Sequence, residues 1–370
     1  DPDRNLRIWS ESWTVPAGDT RRAAVYIDAT VGNDTKFTVT WFTAETPNVT
    51  LTSPDGTVLT AAYPGYTNYT NFGLLVYRLM GTAEEGRWTI ETENIDPTLS
   101  CEIEILVTSA PSDADDAPIS VTSSVSELTI DDLTASRVPL EIYTEVRQGQ
   151  YQVANAKVTA AVSMPNLPNP VEVQLHDTGT GADITRNDGI YTGYFTNYNT
   201  DGFYGIGVRV ENNGGATVNF PFSSGSGARR IKSQGSRQFS SPRADARAVD
   251  VPVPLFKRVV AVGSTRVQNV PATGTDIFPP GKVTDLRVVA SSFSNKTVTL
   301  GWTATGDDFD SGKATSYEIT RGPNVNAILT STNITTVPQS DIVRGDLSDP
   351  KMAGTAEEFT LDVPVNSDIA

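Results

Sequence analysis

Apolar and polar residues alternate with a period of two along most of this chain, the pattern of β-strands with one buried face. Val171, Val173 and Leu175 are separated by Glu172 and Gln174. In the first 110 residues the same signature marks FTVTWF, Val49 to Leu51, Leu74 to Tyr77, RWTIET and IEILVTS, with an Asp55-Gly56 turn among them. A second series comprises ISVTSSVSELTI, VPLEIYTEV, ANAKVTAAVSM, PVEVQLHD, GIYTGYF, YGIGVRVEN and ATVNFPF. Seven such runs have the spacing of an immunoglobulin-like sandwich, and Asn213-Gly214 is expected to close a hairpin between the last two. Val283 to Val289, Val298 to Trp302, Tyr317 to Thr320 and EEFTLDVPV form a third series. Helix signals are nearly absent, so the expected fold is all-β, with β-sandwiches in tandem. Trp41, Trp88 and Trp302 each sit inside a strand run, where an aromatic ring fills a core.

Breaks in the pattern set the expected domains. APSDADDAP, 110–118, is a proline-flanked acidic linker. Between Ala228 and Arg258 the composition turns basic, with Arg229, Arg230, Lys232, Arg237, Arg243, Arg247, Lys257 and Arg258 against Asp245 and Asp250. That Ser- and Gly-rich tract reads as a connector, or as a processing region, since exposed basic loops are readily cut. The expected division is a sandwich over 1–110, an immunoglobulin-like sandwich over 111–225, a basic connector over 226–277 and a final β-module over 278–370.

The densest chemistry lies in Leu175 to Phe195, LHDTGTGADITRNDGIYTGYF, where Asp177, Asp183, Asn187 and Asp188 fall within twelve positions among glycines. Oxygen side chains and glycine-bent carbonyls are what Ca²⁺ takes. The loop is no EF-hand, because Gly179 and Gly181 stand at its third and fifth positions. Carboxylates capping backbone N–H groups in Asx-type turns account for the same residues. GDDFDSG, from Gly306 to Gly312, carries Asp307, Asp308 and Asp310 and raises the same alternatives.

The corner also carries a resemblance. Its sequence, continued through NYNTDGFYGIGVRVENN, resembles the calcium-activated chloride channel regulator family in the β-rich region after its von Willebrand factor A domain. DATVGNDTKFTVTWFTAETPNVTLTSPDG and GRWTI resemble the segment just beyond that A domain. FPPGKVTDLRVV with LGWTATGDDFDSGKATSYEITRG resembles its fibronectin type III domain. The resemblance implies a role around ion-channel regulation or mucus and extracellular matrix, and a cleavage ahead of the fibronectin module by the family's own metalloprotease. It also implies that the final module lacks its last two strands at Ala370, so that the chain is a processed or partial piece.

Composition narrows the function. A net charge of −16 speaks against nucleic acid, which needs a basic face. Cys101 is the sole cysteine, so no internal disulfide forms, and its strand setting marks it as a small core residue. No run is long and apolar enough to span a bilayer. Sequons at Asn33, Asn48, Asn68, Asn295 and Asn333 favour an extracellular glycoprotein carrying N-linked glycans. Catalysis finds little footing: there is no H-E-x-x-H zinc motif and no D-x-S-x-S metal pattern, and the sole histidine, His176, adjoins Asp177 on a strand, where neighbours face opposite ways. The expectation is a non-catalytic scaffold whose partners are other protein chains or upstream domains of the same protein. A structural component of an extracellular filament or coat is the alternative, and a carbohydrate site on Tyr63, Tyr66 and Tyr69 a third reading.

Overall fold

The computed structural model describes residues 5–43, 45–113, 117–220, 249–272 and 274–363. Two sandwiches share one layer. In the first, strands Leu6–Val15, Cys101–Pro111, Val31–Trp41, Leu74–Arg78 and Tyr66–Tyr69 face a four-stranded sheet of Thr20–Ile27, Gly86–Glu93, Asn48–Thr52 and Val58–Leu59. Alternation places Phe37, Val39 and Trp41 on the inner face of one strand, and Ile103, Ile105 and Val107 on that of its neighbour, around a core completed by Trp88 and Ile90. Cys101 is buried in the same core.

In the second sandwich, Val171–Leu175, Lys157–Ser163, Gly202–Glu211 and Lys257–Val267 form one layer. Ile119–Val125, Leu140–Gln148, Tyr151–Ala154, Thr217–Phe220 and Val249–Pro252 form the other, with Ile190–Phe195 paired to Leu140–Gln148. Its core includes Ile142, Val158, Tyr191, Phe195, Tyr204 and Val208.

The strand that joins the two is Lys257–Val267. It runs antiparallel to Gly202–Glu211 along its whole length and parallel to Leu6–Val15 at Trp9 and Val259, so the first layers of both sandwiches form one ten-stranded sheet. The expectation of a connector over 226–277 therefore does not hold for its later part. Val249–Pro252 and Lys257–Val267 are integral strands of the second sandwich, disguised in sequence by their place in and beside the basic run. Arg229, Arg230, Lys232, Arg237, Arg243 and Arg247 lie outside the described residues.

Asn213-Gly214 closes no hairpin. Gly202–Glu211 and Thr217–Phe220 belong to different layers, and Thr217–Phe220 pairs instead with Val249–Pro252 and Tyr151–Ala154. Asn212 steers that crossing: its Nδ2 donates to Val253 O and Pro254 O, and its Oδ1 accepts the N–H groups of Gly214 and Ala216.

The last module is a four-stranded sheet, Arg287–Ser292, Thr297–Thr303, Ala356–Asp362 and Ile342–Arg344, beside a two-stranded ribbon of Thr320–Arg321 and Thr335–Thr336. Trp302 stacks on Phe359 with ring centres 5.0 Å apart, and Tyr317 meets both edge-on. Phe278, expected to open this module, packs in the core of the second sandwich. Among the described residues no helix is long and apolar enough to cross a membrane.

Candidate functional site

The acidic corner does not form a simple hairpin. Val171–Leu175 and Ile190–Phe195 lie in opposite layers, and Asp177 to Gly189 arch between them, with a single bridge from His176 to Thr192. Asn187 and Gly189 adopt φ of 59° and 79°, the left-handed backbone that Asn and Gly tolerate best.

Inside the arch, Asp177, Asp183 and Asp188 place a carboxylate oxygen each within 4.8 Å of one another. Asp177 and Asp183 are buried and Asp188 is half-buried. Backbone donors hold all three. Asp177 accepts the N–H groups of Asp188 at 3.1 Å and Gly189 at 3.0 Å. Asp183 accepts those of Gly179 and Thr185, and Asp188 that of Ile190. Burial pushes the Asp177 carboxyl up to about 6; the charges of Asp183 and Asp188 add to this, and the two N–H bonds oppose it. Asn187 stands exposed beside the cluster.

In donor type and spread the three carboxylates fit a hard cation, since each retains lone pairs beyond those the N–H groups use. They equally serve as caps for an arch that would otherwise leave backbone N–H groups unpaired.

The corner also receives the last module. Asp310 Oδ2 accepts the N–H of Ala182 at 3.0 Å, and Phe309 packs on Tyr194 with centroids 4.8 Å apart. Gly181, at φ 65°, leaves the space this contact needs, because a Cβ there would come within 2.4 Å of Asp310. Desolvation raises the Asp310 carboxyl although it keeps solvent contact, while the Ala182 N–H and the nearby His176 draw it down. Asp307, Asp308 and Asp310 were grouped by sequence; in the fold Gly306 and Phe309 close a tight turn and Asp310 alone reaches the corner.

A second junction had no forecast. Arg258 and Asp28, both fully buried, form an ion pair at 2.5 Å between the two sandwiches. Arg258 Nε also donates to Ile119 O at 3.1 Å, and Asp28 Oδ1 accepts from Thr30. The readable signal was the alternation in KRVVAV, obscured by its place at the end of a basic run.

The other sequence candidates are scattered. Asn48, Asn68, Asn295 and Asn333 are exposed. Asn33 is not free: its Nδ2 donates to Pro111 O at 2.8 Å and Ser112 O at 3.1 Å, and its Oδ1 accepts from Thr82. Tyr63 spends its hydroxyl on the N–H of Met80 and Tyr66 packs edge-on against Tyr77, which leaves only Tyr69 of the three exposed. His176 is exposed, whereas Asp177 is buried with its carboxylate accepting the N–H groups of Asp188 and Gly189.

Comparison with known proteins decides the family. The chain is 35% identical over 375 residues to calcium-activated chloride channel regulator 2 of Homo sapiens, covering 98% of this chain and 37% of that protein. It is 34% identical over 329 residues to regulator 1 of Equus caballus, covering 87% of this chain and 34% of that protein. This chain belongs to the calcium-activated chloride channel regulator family. It spans little more than a third of the length of these curated relatives. No family model matches it. Among solved structures, a Bacillus licheniformis lipase in its propeptide form aligns with 57% of the chain and 41% of its own at a TM-score of 0.27 and 11% identity, too distant to bear on the fold or chemistry of this chain.

Proposed function

We propose that this chain is the non-catalytic, β-rich scaffold of a secreted glycoprotein of the calcium-activated chloride channel regulator family. It holds upstream domains of the same protein, presents a fibronectin type III module, and offers its surfaces to other proteins. One observation carries the reading: the strand Lys257–Val267 belongs to both sandwiches and is pinned between them by the buried Asp28–Arg258 pair. Two modules sharing a sheet and a desolvated ion pair transmit position rather than hinge freely. The exposed sequons support an extracellular setting, as does the family, and the basic residues within 221–248 are the proposed processing region.

Calorimetry of Arg258→Met tests the scaffold. Removing one partner strands the other charge in a dry interface, at a cost of about 3–5 kcal/mol. The wild type is expected to melt the two sandwiches in one transition and the variant in two. A single transition unshifted by the substitution would overturn the reading.

A filament or coat component is the second reading, favoured by the exposed apolar side chains Val288, Val289 and Phe293 on and beside the edge strand Arg287–Ser292. Sedimentation at micromolar concentration separates the two, because an assembly component self-associates and a scaffold stays monomeric.

A further inference from the structure

The last module carries a feature that neither the corner nor the scaffold uses. The edge strand Ile342–Arg344 ends in the tripeptide Arg344-Gly345-Asp346, whose three residues are all exposed. Its backbone is held from both sides. Gln339 Nε2 donates to Gly345 O at 2.9 Å, and Gln339 Oε1 accepts the N–H of Leu347 at 2.9 Å, so one side chain clamps the peptide on either side of Asp346. Beneath it lies the ring of Phe359. Gly345 has φ 113°, and a Cβ there would sit 2.5 Å from Phe359 Cδ1, so no other residue fits without displacing the core ring.

The two charged groups are presented differently. The Arg344 side chain is 73% exposed, and its ion pair, to Glu358 at 3.7 Å, is too solvated to hold it. Asp346 Oδ1 accepts the N–H of Ser348 at 2.9 Å and its hydroxyl at 2.6 Å, which fixes the carboxylate plane and keeps it ionised well into acid. Oδ2 accepts no hydrogen bond from the described residues. A fixed carboxylate with one open oxygen is a ligand for a divalent cation held by another protein. A free guanidinium two residues away suits a bidentate acidic pocket on the same partner. The clamp lowers the ordering cost of binding, which a flexible peptide would meet in full.

We propose that Arg344-Gly345-Asp346 is a docking site for a metal-dependent cell-adhesion receptor, with Asp346 completing the coordination of a receptor-held cation and Arg344 pairing with receptor carboxylates. Its biological use rests on the extracellular setting proposed above; the binding itself does not, and neither does it depend on the coupling of the sandwiches. The test uses the whole chain, immobilised, and the purified ectodomain of an adhesion receptor that binds the free tripeptide Arg-Gly-Asp in Mn²⁺. The wild type is expected to bind in Mn²⁺, to release in EDTA, and to be displaced by free Arg-Gly-Asp peptide but not by Arg-Gly-Glu. Asp346→Glu keeps the charge but moves the carboxylate out by one methylene, and Arg344→Gln removes the guanidinium. Each is expected to weaken binding at least about tenfold at an unchanged melting temperature. Absence of wild-type binding, or equal binding by Asp346→Glu, overturns the proposal and leaves the scaffold reading, which rests on Arg258, untouched.

Discussion

At the scale of single residues, Asp177 links structure to solution behaviour. Its folded carboxyl titrates near 6 against an ordinary value of 3.8, so protonation favours the folded state. The stability this gives is fully present below the unfolded value and is lost as the pH rises through about 6. Acidification from pH 7.5 to 5 is therefore expected to stabilise the second sandwich by about 1–2 kcal/mol. Thermal melts across that window should show the gain in the wild type and lose it in Asp177→Asn; an equal gain in both would assign the effect elsewhere. A cation is the other way to relieve three crowded carboxylates. Because five backbone N–H groups already offset the crowded negative charge, a cation has little left to gain, and calorimetric titration of chelator-stripped protein with Ca²⁺ is expected to give no heat and no melting shift. Saturable heat would assign the corner a calcium. At Asn33, glycopeptide mapping of the protein expressed through a secretory pathway is expected to find no glycan, while exposed sequons such as Asn68 are free to carry one. The Nδ2 that a glycan would occupy is committed to two carbonyls, and Thr35 of the sequon is fully buried. A fully occupied Asn33 on folded protein would contradict these contacts.

At the scale of elements, period-two patterning identified most strands, because a half-buried sheet imposes alternation residue by residue. All seven runs of the second series became strands. What alternation does not encode is the partner. The arch from Asp177 to Gly189 and the turn at Asn213-Gly214 carry the residues of tight turns, yet each sends the chain across the sandwich, because layer assignment depends on burial on both sides. Thr20–Ile27 escaped because in TRRAAVYI two adjacent arginines and two adjacent alanines follow the opening threonine in place of an alternation. Lys257–Val267 escaped because charge was read as exposure. Lys257 lies over the Trp9 ring and Arg258 is neutralised by Asp28, so both cations serve a buried junction. Of the candidate site, the three carboxylates of the corner were legible from their spacing; the arrival of Asp310 from 128 residues downstream was not.

At the scale of the whole molecule, the chain is an all-β fold whose order in sequence differs from its order in space. Thr217–Phe220 and Val249–Pro252, which flank the basic tract in sequence, pair with each other in the second sandwich. Lys257–Val267, also beyond the basic tract, then bridges the two sandwiches. Proteolysis within the basic tract would thus divide the covalent chain but not the fold. The central claim, that the portion after the tract is structurally part of the portion before it, is most directly tested by placing a specific protease site within 221–248. The cut protein is then passed over a size-exclusion column without denaturant. The account predicts that both pieces co-elute at the size of the intact chain and separate only in denaturant; elution as two independent species under native conditions would contradict it.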